Sequence, residues 1–245
     1  MLVSLSKGTF SWLWIALYAL LPVVIASLLG RSDRADSGRF KCWPEFLILA
    51  VLGLAVDLRW FERAWPPHLS AFNKVLLLDA GIYGFVVIRK LEGVGFDLRL
   101  RWRDLAIGLR EFVFFAPLAL GLGLWLRFLH LHPFGPGAAM VILKFAGAWI
   151  FTFFLIAVPE ELFFRGWLQN LLERHIGRER ALLATAILFG LSHFNKRAVF
   201  FNWRYVLLAA IAGIFYGRAW RRDHRIGASA ITHATVDSVW SLWFR

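Results

Sequence analysis

The stretch IFTFFLIAVPEELFFRGW (residues 150–167) joins a long apolar run to two adjacent glutamates and an arginine. Such a run is typical of a membrane-spanning helix, where an ionisable side chain costs at least a few kcal/mol and is a functional hypothesis by default. On a helix, Glu161 and Arg165 are one turn apart and can pair. Glu160 is rotated by about 100° from Glu161, so its carboxylate can point elsewhere, unpaired. The alternative for this stretch alone is a helix end with solvated charges.

The composition of the whole chain is that of a membrane protein. Of its 245 residues, 59% are hydrophobic, with 13 Trp and 24 Phe, and the mean hydropathy is +0.61. A soluble domain is closer to half apolar, and a spanning helix needs about 20 mostly apolar residues. We therefore predict an all-α polytopic membrane helical bundle with about eight transmembrane helices. The predicted spans cover residues 10–30, 45–60, 70–88, 111–130, 138–172, 181–195, 203–220 and 226–244.

One integral membrane domain (1–245) is predicted, with three parts. Residues 1–95 hold the N-terminal spans, and the first is retained because its apolar run exceeds the usual 7–15 residues of a signal peptide core. Residues 96–112 (FDLRLRWRDLAIGLREF) mix leucines with arginines and indicate an interfacial amphipathic segment. Residues 138–244 form the catalytic core.

The basic charge indicates membrane topology and not nucleic-acid binding. The formal net charge is +12, but the 28 Lys and Arg are mainly in short segments between apolar runs. When the loops are taken alternately, one set carries 18 of these charges and the other nine. By the positive-inside rule the richer loops face the cytoplasm, which places both termini outside.

Two further spans carry histidines. In ILFGLSHFN (187–195), His193 follows Phe189 by one helical turn. In SAITHATVDSVWSLWF (229–244), His233 and Asp237 share a face, so the carboxylate can orient the imidazole, or both can hold one ligand or metal. Structural histidines and a polar pair between helices are the alternatives.

The depth of Glu160, His193 and His233 within their spans favours a common site. Glu160 and His193 each lie about 18 Å from the arginine-rich end of their span, and His233 about 12 Å, at a rise of 1.5 Å per residue. These three spans therefore predict a shared water-filled cavity that opens towards the cytoplasm.

Two hydrolytic mechanisms fit these residues. In the first, Glu160 takes a proton from water that His193 helps to position, while His233 and Asp237 stabilise the oxyanion. In the second, Glu160, His193, His233 and Asp237 bind a divalent metal that activates the water. The chain has no HExxH sequence, so the usual zinc protease motif is absent. The sequence thus allows a divalent metal but requires no cofactor.

At these residues the chain resembles the CPBP family (CAAX protease and bacteriocin-processing, also called Abi) of intramembrane endopeptidases. Three family motifs are similar to segments of this chain. The motif EExxxR matches Glu160, Glu161 and Arg165, the motif FxxxH matches Phe189 and His193, and the motif HxxxN/D matches His233 and Asp237.

The resemblance implies a glutamate-dependent hydrolase that cuts near the C-terminus of a membrane-associated or lipidated protein. It implies Glu160, His193, His233 and Asp237 as catalytic residues, supported by Glu161, Arg165 and Phe189. Because an ionised Asp237 cannot donate a hydrogen bond, it is expected to orient His233.

The implied partners are a protein or peptide substrate and the lipid bilayer, with no nucleic acid. Short loops favour a prokaryotic cell membrane. The alternatives are a non-enzymatic immunity or scaffold protein that keeps the motif as a structural polar core, and a proton-coupled transporter.

Overall fold

Helices account for nearly all regular structure in the computed structural model, which describes residues 12–33, 43–61, 65, 71–97, 99–132, 137–195 and 201–244. Among these residues there is no strand, and an isolated bridge joins Leu131 to Phe244. The predicted all-α class is therefore confirmed. The helices are α1 (Trp12–Asp33), α2 (Trp43–Asp57), α3 (Ala71–Ile82, prolonged by the π-helical Tyr83–Ile88), α4 (Trp102–Trp125), α5 (Ala138–Thr152, continuing to Ile176), α6 (Arg178–Leu191), α7 (Trp203–Asp223) and α8 (Ile226–Trp243).

Each helix coincides with a predicted span to within a few residues, except that α4 begins at Trp102 and not at residue 111. Residues 102–112 therefore belong to α4, and their interfacial position stays a prediction. The reason is local, because the Arg101 backbone N–H donates to the Asp104 carboxylate at 3.0 Å and caps the helix there. Residues 10, 11, 70 and 98 of the predicted segments lie outside the described residues.

Three helical stretches within the described residues are long and apolar enough to cross a membrane, by length and composition. They are Trp12–Gly30, Trp102–Trp125 and Ala139–Ile176. The chain is thus an integral membrane protein with an all-α bundle. α7 and α8 have 21 and 18 residues but are not among these three, so the number of eight spans stays a prediction.

The chain divides into two compact units, Met1–Glu92 and Gly93–Arg245. In the first, Gly84 of α3 lies so close to Ile25 of α1 that no side chain would fit between them. The buried Glu45 of α2 pairs there with Arg89. The single domain predicted for residues 1–245 stays a prediction.

In the second unit, α8 is the central helix. Its residues Ala228, Ala230, Ile231 and Ala234 are at most 1% exposed. A Cβ on Gly108 of α4 would come within 2.8 Å of the Ala228 carbonyl oxygen, so glycine is needed for this close approach. Small residues at such contacts are usual between membrane helices.

Arg225 holds the start of α8. Its guanidinium donates to Asp104 at 2.8 Å, to Asp97 at 3.1 Å and to the Arg99 carbonyl at 2.7 Å. The backbone N–H of Arg99, together with Arg225, holds the pKa of the Asp97 carboxyl below its usual range. This cluster anchors the segment before α4 to the helix that carries His233.

Gly95 is required at the same junction, because its φ of 72° is in the left-handed region and an added Cβ would overlap the His224 carbonyl. We expect Gly95→Ala to lower thermal stability in detergent by clearly more than the roughly 1–2 kcal/mol of left-handed backbone strain. Gly93 is the matched control, since its φ is 74° but its Cβ would meet only the Asn170 side chain at 3.4 Å. Equal losses in Gly95→Ala and Gly93→Ala would contradict this account.

Candidate active site

The helical geometry of α5 changes around the two glutamates. π-Helical turns at Phe153–Ala157 and Leu162–Gln169 flank the short α-helical segment Val158–Glu161. Pro159 lies inside this segment and contributes no backbone N–H. π-Helical turns are uncommon and are frequent at functional sites. Both carboxylates therefore project from an irregular part of a long apolar helix.

Glu161 is completely buried and accepts three hydrogen bonds. Its Oε1 atom is 3.0 Å from Nη1 of Arg165 and 2.8 Å from Nδ1 of His233. Its Oε2 atom accepts from the Ser229 hydroxyl at 2.7 Å. The predicted Glu161–Arg165 pair is present, and this carboxylate is fully engaged in holding α5 to α8.

Arg165 is also fully buried and connects several parts of the site. Its Nη2 donates to the Gly213 carbonyl of α7 at 3.0 Å. Its guanidinium carbon is 4.7 Å from the Phe189 ring centroid and 5.3 Å from that of Tyr216, within cation–π range. The Phe189 ring also contacts both histidines, at 4.9 Å from His193 and 5.6 Å from His233 between ring centroids. Phe189 thus packs between the arginine and the two imidazoles.

Three carboxylates face the ring of His233, which is 2% exposed. Besides Glu161 at Nδ1, its Nε2 is 3.5 Å from Oδ2 of Asp237 and 3.8 Å from Oε2 of Glu160. The expectation that Glu160 is unpaired is therefore wrong, because α8 brings an imidazole to it. The two carboxylates near Nε2 are partly exposed: the exposed fraction of the side chain is 18% for Glu160 and 37% for Asp237.

The tautomer of His193 follows from its partner. Its Nδ1 is 2.8 Å from the Phe189 carbonyl oxygen, which can only accept. Nδ1 therefore carries the proton, and in the neutral ring Nε2 is an acceptor. The Ser192 hydroxyl also donates to this carbonyl at 2.8 Å, and the Tyr205 ring lies 5.0 Å away.

A cavity of about 190 Å³ lies among α4, α6, α7 and α8. His193, His233 and Asp237 line it, whereas Glu160 does not and approaches it at His233. The rest of its wall is largely apolar and includes Phe115, Ala116, Leu129, Leu208, Ala212, Trp240 and Phe244. From His233 the cavity extends towards the helix ends near Leu129, Tyr205 and Phe244, away from the arginine-rich turns at 174–180 and 218–225.

No group of three His, Cys, Asp or Glu side chains among the described residues is arranged to hold a metal ion. Glu160, His193, His233 and Asp237, the alternative ligands, are all described and do not form such a group. A reaction that needs no metal stays a prediction.

Sequence reasoning missed the parts played by Ser229 and Tyr216. Ser229 is in none of the motifs, but it donates to Glu161. Its position one turn before His233 was an available signal. The Tyr216 ring stacks on His233, with centroids 4.6 Å apart and an angle of 15° between the planes. Since Tyr216 is in none of the motifs, no sequence signal identified it.

The fold and this buried cluster of acids, histidines and an arginine define an integral membrane protein with a polar site among apolar helices. Residues 142–239 match the family model described as "Type II CAAX prenyl endopeptidase Rce1-like" and include every predicted site residue. This match over residues 142–239 supports the resemblance of the chain's motifs to the CAAX protease and bacteriocin-processing family. Neither a curated protein nor a solved structure matches the chain. The family supports CAAX-type endopeptidase activity on a membrane-associated protein.

Proposed function

We propose that the chain is a glutamate-dependent intramembrane endopeptidase that cuts a peptide bond near the C-terminus of a membrane-associated or lipidated protein. The difference between the two adjacent glutamates carries this proposal. Glu161 is saturated by three donors, whereas the Glu160 side chain is 18% exposed and lies 3.8 Å from Nε2 of His233. A general base must be reachable by water, and of the two only Glu160 keeps this property.

In the proposed reaction, Glu160 takes one proton from water while the water oxygen attacks the scissile carbonyl carbon. His193 accepts a hydrogen bond from that water at Nε2 and so positions it. Protonated His233 donates from both nitrogens, to Glu161 and to the oxyanion, and Asp237 orients its ring. The C–N bond then breaks as the proton passes from Glu160 to the leaving amine.

The test is cleavage by the purified protein in liposomes of a fluorogenic peptide that carries a prenylated cysteine followed by aliphatic residues. Products are identified by mass spectrometry, and the same peptide without the prenyl group measures the need for the lipid. Cleavage that persists in a chelator is expected. Cleavage lost in the chelator and restored by Zn²⁺ would contradict the metal-free mechanism, and no cleavage of either peptide would contradict the substrate class. The family match does not favour the non-enzymatic alternative.

The role of His193 can be tested with two replacements, each of which keeps a polar atom near the position of one ring nitrogen. Gln places a polar atom near the position of Nε2, whereas Asn places one near that of Nδ1. If Nε2 positions the water, His193→Gln should keep about tenfold more residual kcat than His193→Asn, within the 10²–10⁴-fold range of acid–base effects. If His193→Asn kept the higher kcat in the liposome assay, Nδ1 and not Nε2 would position the water, which would contradict the proposal.

We further propose that the protein belongs to a prokaryotic cell membrane, with the arginine-rich loops in the cytoplasm. The cavity extends towards Leu129 and Phe244, at the end that carries the charge-poor loops, so this topology conflicts with the predicted cytoplasmic opening of the site, and a labelling experiment decides between the two. In a Cys42→Ser background, His175→Cys marks an arginine-rich loop and His132→Cys a charge-poor one. An impermeant maleimide should label His132→Cys in intact cells and His175→Cys only after lysis. The reverse labelling would contradict this topology and would agree with a cytoplasmic opening of the site.

A further inference from the structure

The motif residues that line the cavity offer few hydrogen-bond donors for an oxyanion. Asp237 is an acceptor when ionised, and His193 presents Nε2 as an acceptor because its proton is on Nδ1. Nε2 of His233 is the remaining histidine donor, but two carboxylates lie within 3.8 Å of it. Sites that stabilise an oxyanion commonly use two donors. A second donor would have to come from a residue outside the motifs.

Tyr216 has the properties of that donor. It lies on α7, lines the cavity and is only 2% exposed overall. Two contacts hold its ring: the stack on His233, with centroids 4.6 Å apart, and a T-shaped contact with Phe189 at 5.7 Å. Its hydroxyl makes no hydrogen bond to the part of the chain that the structure describes. A buried phenol without a partner is costly unless a ligand or water completes its hydrogen bond.

We infer that Tyr216 is a further catalytic residue whose hydroxyl donates to the oxyanion of the tetrahedral intermediate, beside His233. This inference rests on the proposed function. As the water oxygen bonds to the carbonyl carbon, the π electrons of the C=O bond move to its oxygen, and the water proton moves to Glu160. Tyr216 donates a hydrogen bond to that oxygen and keeps its own proton. When the C=O bond forms again, the C–N bond breaks and Glu160 returns the proton to the amine.

Asp237 explains why a phenol is needed at this place. Its carboxylate sits 3.5 Å from Nε2 of His233, where an amide side chain would offer an N–H to the cavity. A carboxylate offers none, and its charge opposes an oxyanion nearby. The Tyr216 ring, which stacks on His233, places a neutral hydroxyl donor beside this histidine and adds no charge. Tyr205 also lines the cavity, but its ring packs 5.0 Å from His193, the residue that positions the attacking water in the proposed reaction.

Tyr216→Phe tests the inference, since it removes the hydroxyl and leaves the stacked ring. With the prenylated peptide in liposomes, we expect kcat to fall by about 10²-fold or more, as for loss of one oxyanion donor, with KM within about twofold. Thermal stability should not fall, because the hydroxyl has no partner among the described residues. Tyr83→Phe, in the first unit, is the matched control and should cleave like the wild type. An unchanged kcat in Tyr216→Phe, or a larger loss in Tyr205→Phe, would overturn the inference.

A second arm uses Asp237→Asn, which places an amide donor beside the cavity. The loss of kcat on Tyr216→Phe should be at least about tenfold smaller in the Asp237→Asn background, because the amide replaces the phenol as second donor. A loss of equal size in both backgrounds would overturn the donor role, since a purely packing role predicts that result. Glu160→Gln, measured in parallel, separates the two proposals. Full activity in that variant defeats the proposed function, whereas full activity in Tyr216→Phe alone defeats only the second donor.

Discussion

Replacement of Glu160 by glutamine should leave a folded, membrane-inserted protein that cleaves the prenylated peptide at least about 10³-fold more slowly than the wild type. Gln has nearly the shape of Glu but cannot accept a proton from water, and general base catalysis contributes 10²–10⁴-fold. The structure predicts little loss of stability, because the Glu160 side chain is partly exposed and the cluster is held by Glu161. Initial rates in liposomes and thermal unfolding in detergent measure the two effects.

Glu179→Gln is the matched control for Glu160→Gln. Glu179 is on the first turn of α6, its side chain is 80% exposed, and it pairs with Arg221 at the protein surface. The control should cleave at the wild-type rate. Undiminished cleavage by Glu160→Gln would remove Glu160 from the mechanism, and equal loss in the control would assign the effect to surface charge.

Arg165→Met should cause the largest loss of stability of any single replacement in the site. It leaves the buried Glu161 without the arginine that pairs with it at 3.0 Å, and breaking a buried ion pair from one side costs about 3–5 kcal/mol. It also removes the hydrogen bond to Gly213 and the contacts with Phe189 and Tyr216. Thermal unfolding of the purified protein in detergent measures this loss, together with the fraction that inserts into membranes.

Two companion variants separate the buried pair from other effects. Arg103→Met breaks the pair with Asp223, in which the arginine side chain is 73% exposed, so it should cost less than about 1 kcal/mol. Adding Glu161→Gln to Arg165→Met should recover part of the lost stability, because the unpaired buried charge is then absent. If Arg165→Met were no more harmful than Arg103→Met, the buried pair would not stabilise the site.

The helices could be predicted because apolar run length is a local property of the chain. The eight helices therefore fall where the runs are, and an error appears at α4, where a capping contact of Asp104 decides the first turn. Pairs one turn apart were predictable for the same reason. Glu161 with Arg165, and His233 with Asp237, are on one helix face whatever the tertiary fold.

The sequence by itself determined an apolar all-α membrane protein and identified the ionisable residues that are candidates for a functional site. It could not distinguish the two adjacent glutamates, because their difference lies in donors from other helices. Only the tertiary structure decided that Glu161 is saturated by Arg165, Ser229 and His233 and that Glu160 remains partly exposed. It also brought Tyr216 onto His233. Such contacts join residues far apart in the chain, so they depend on how the helices pack and not on any periodicity within one helix.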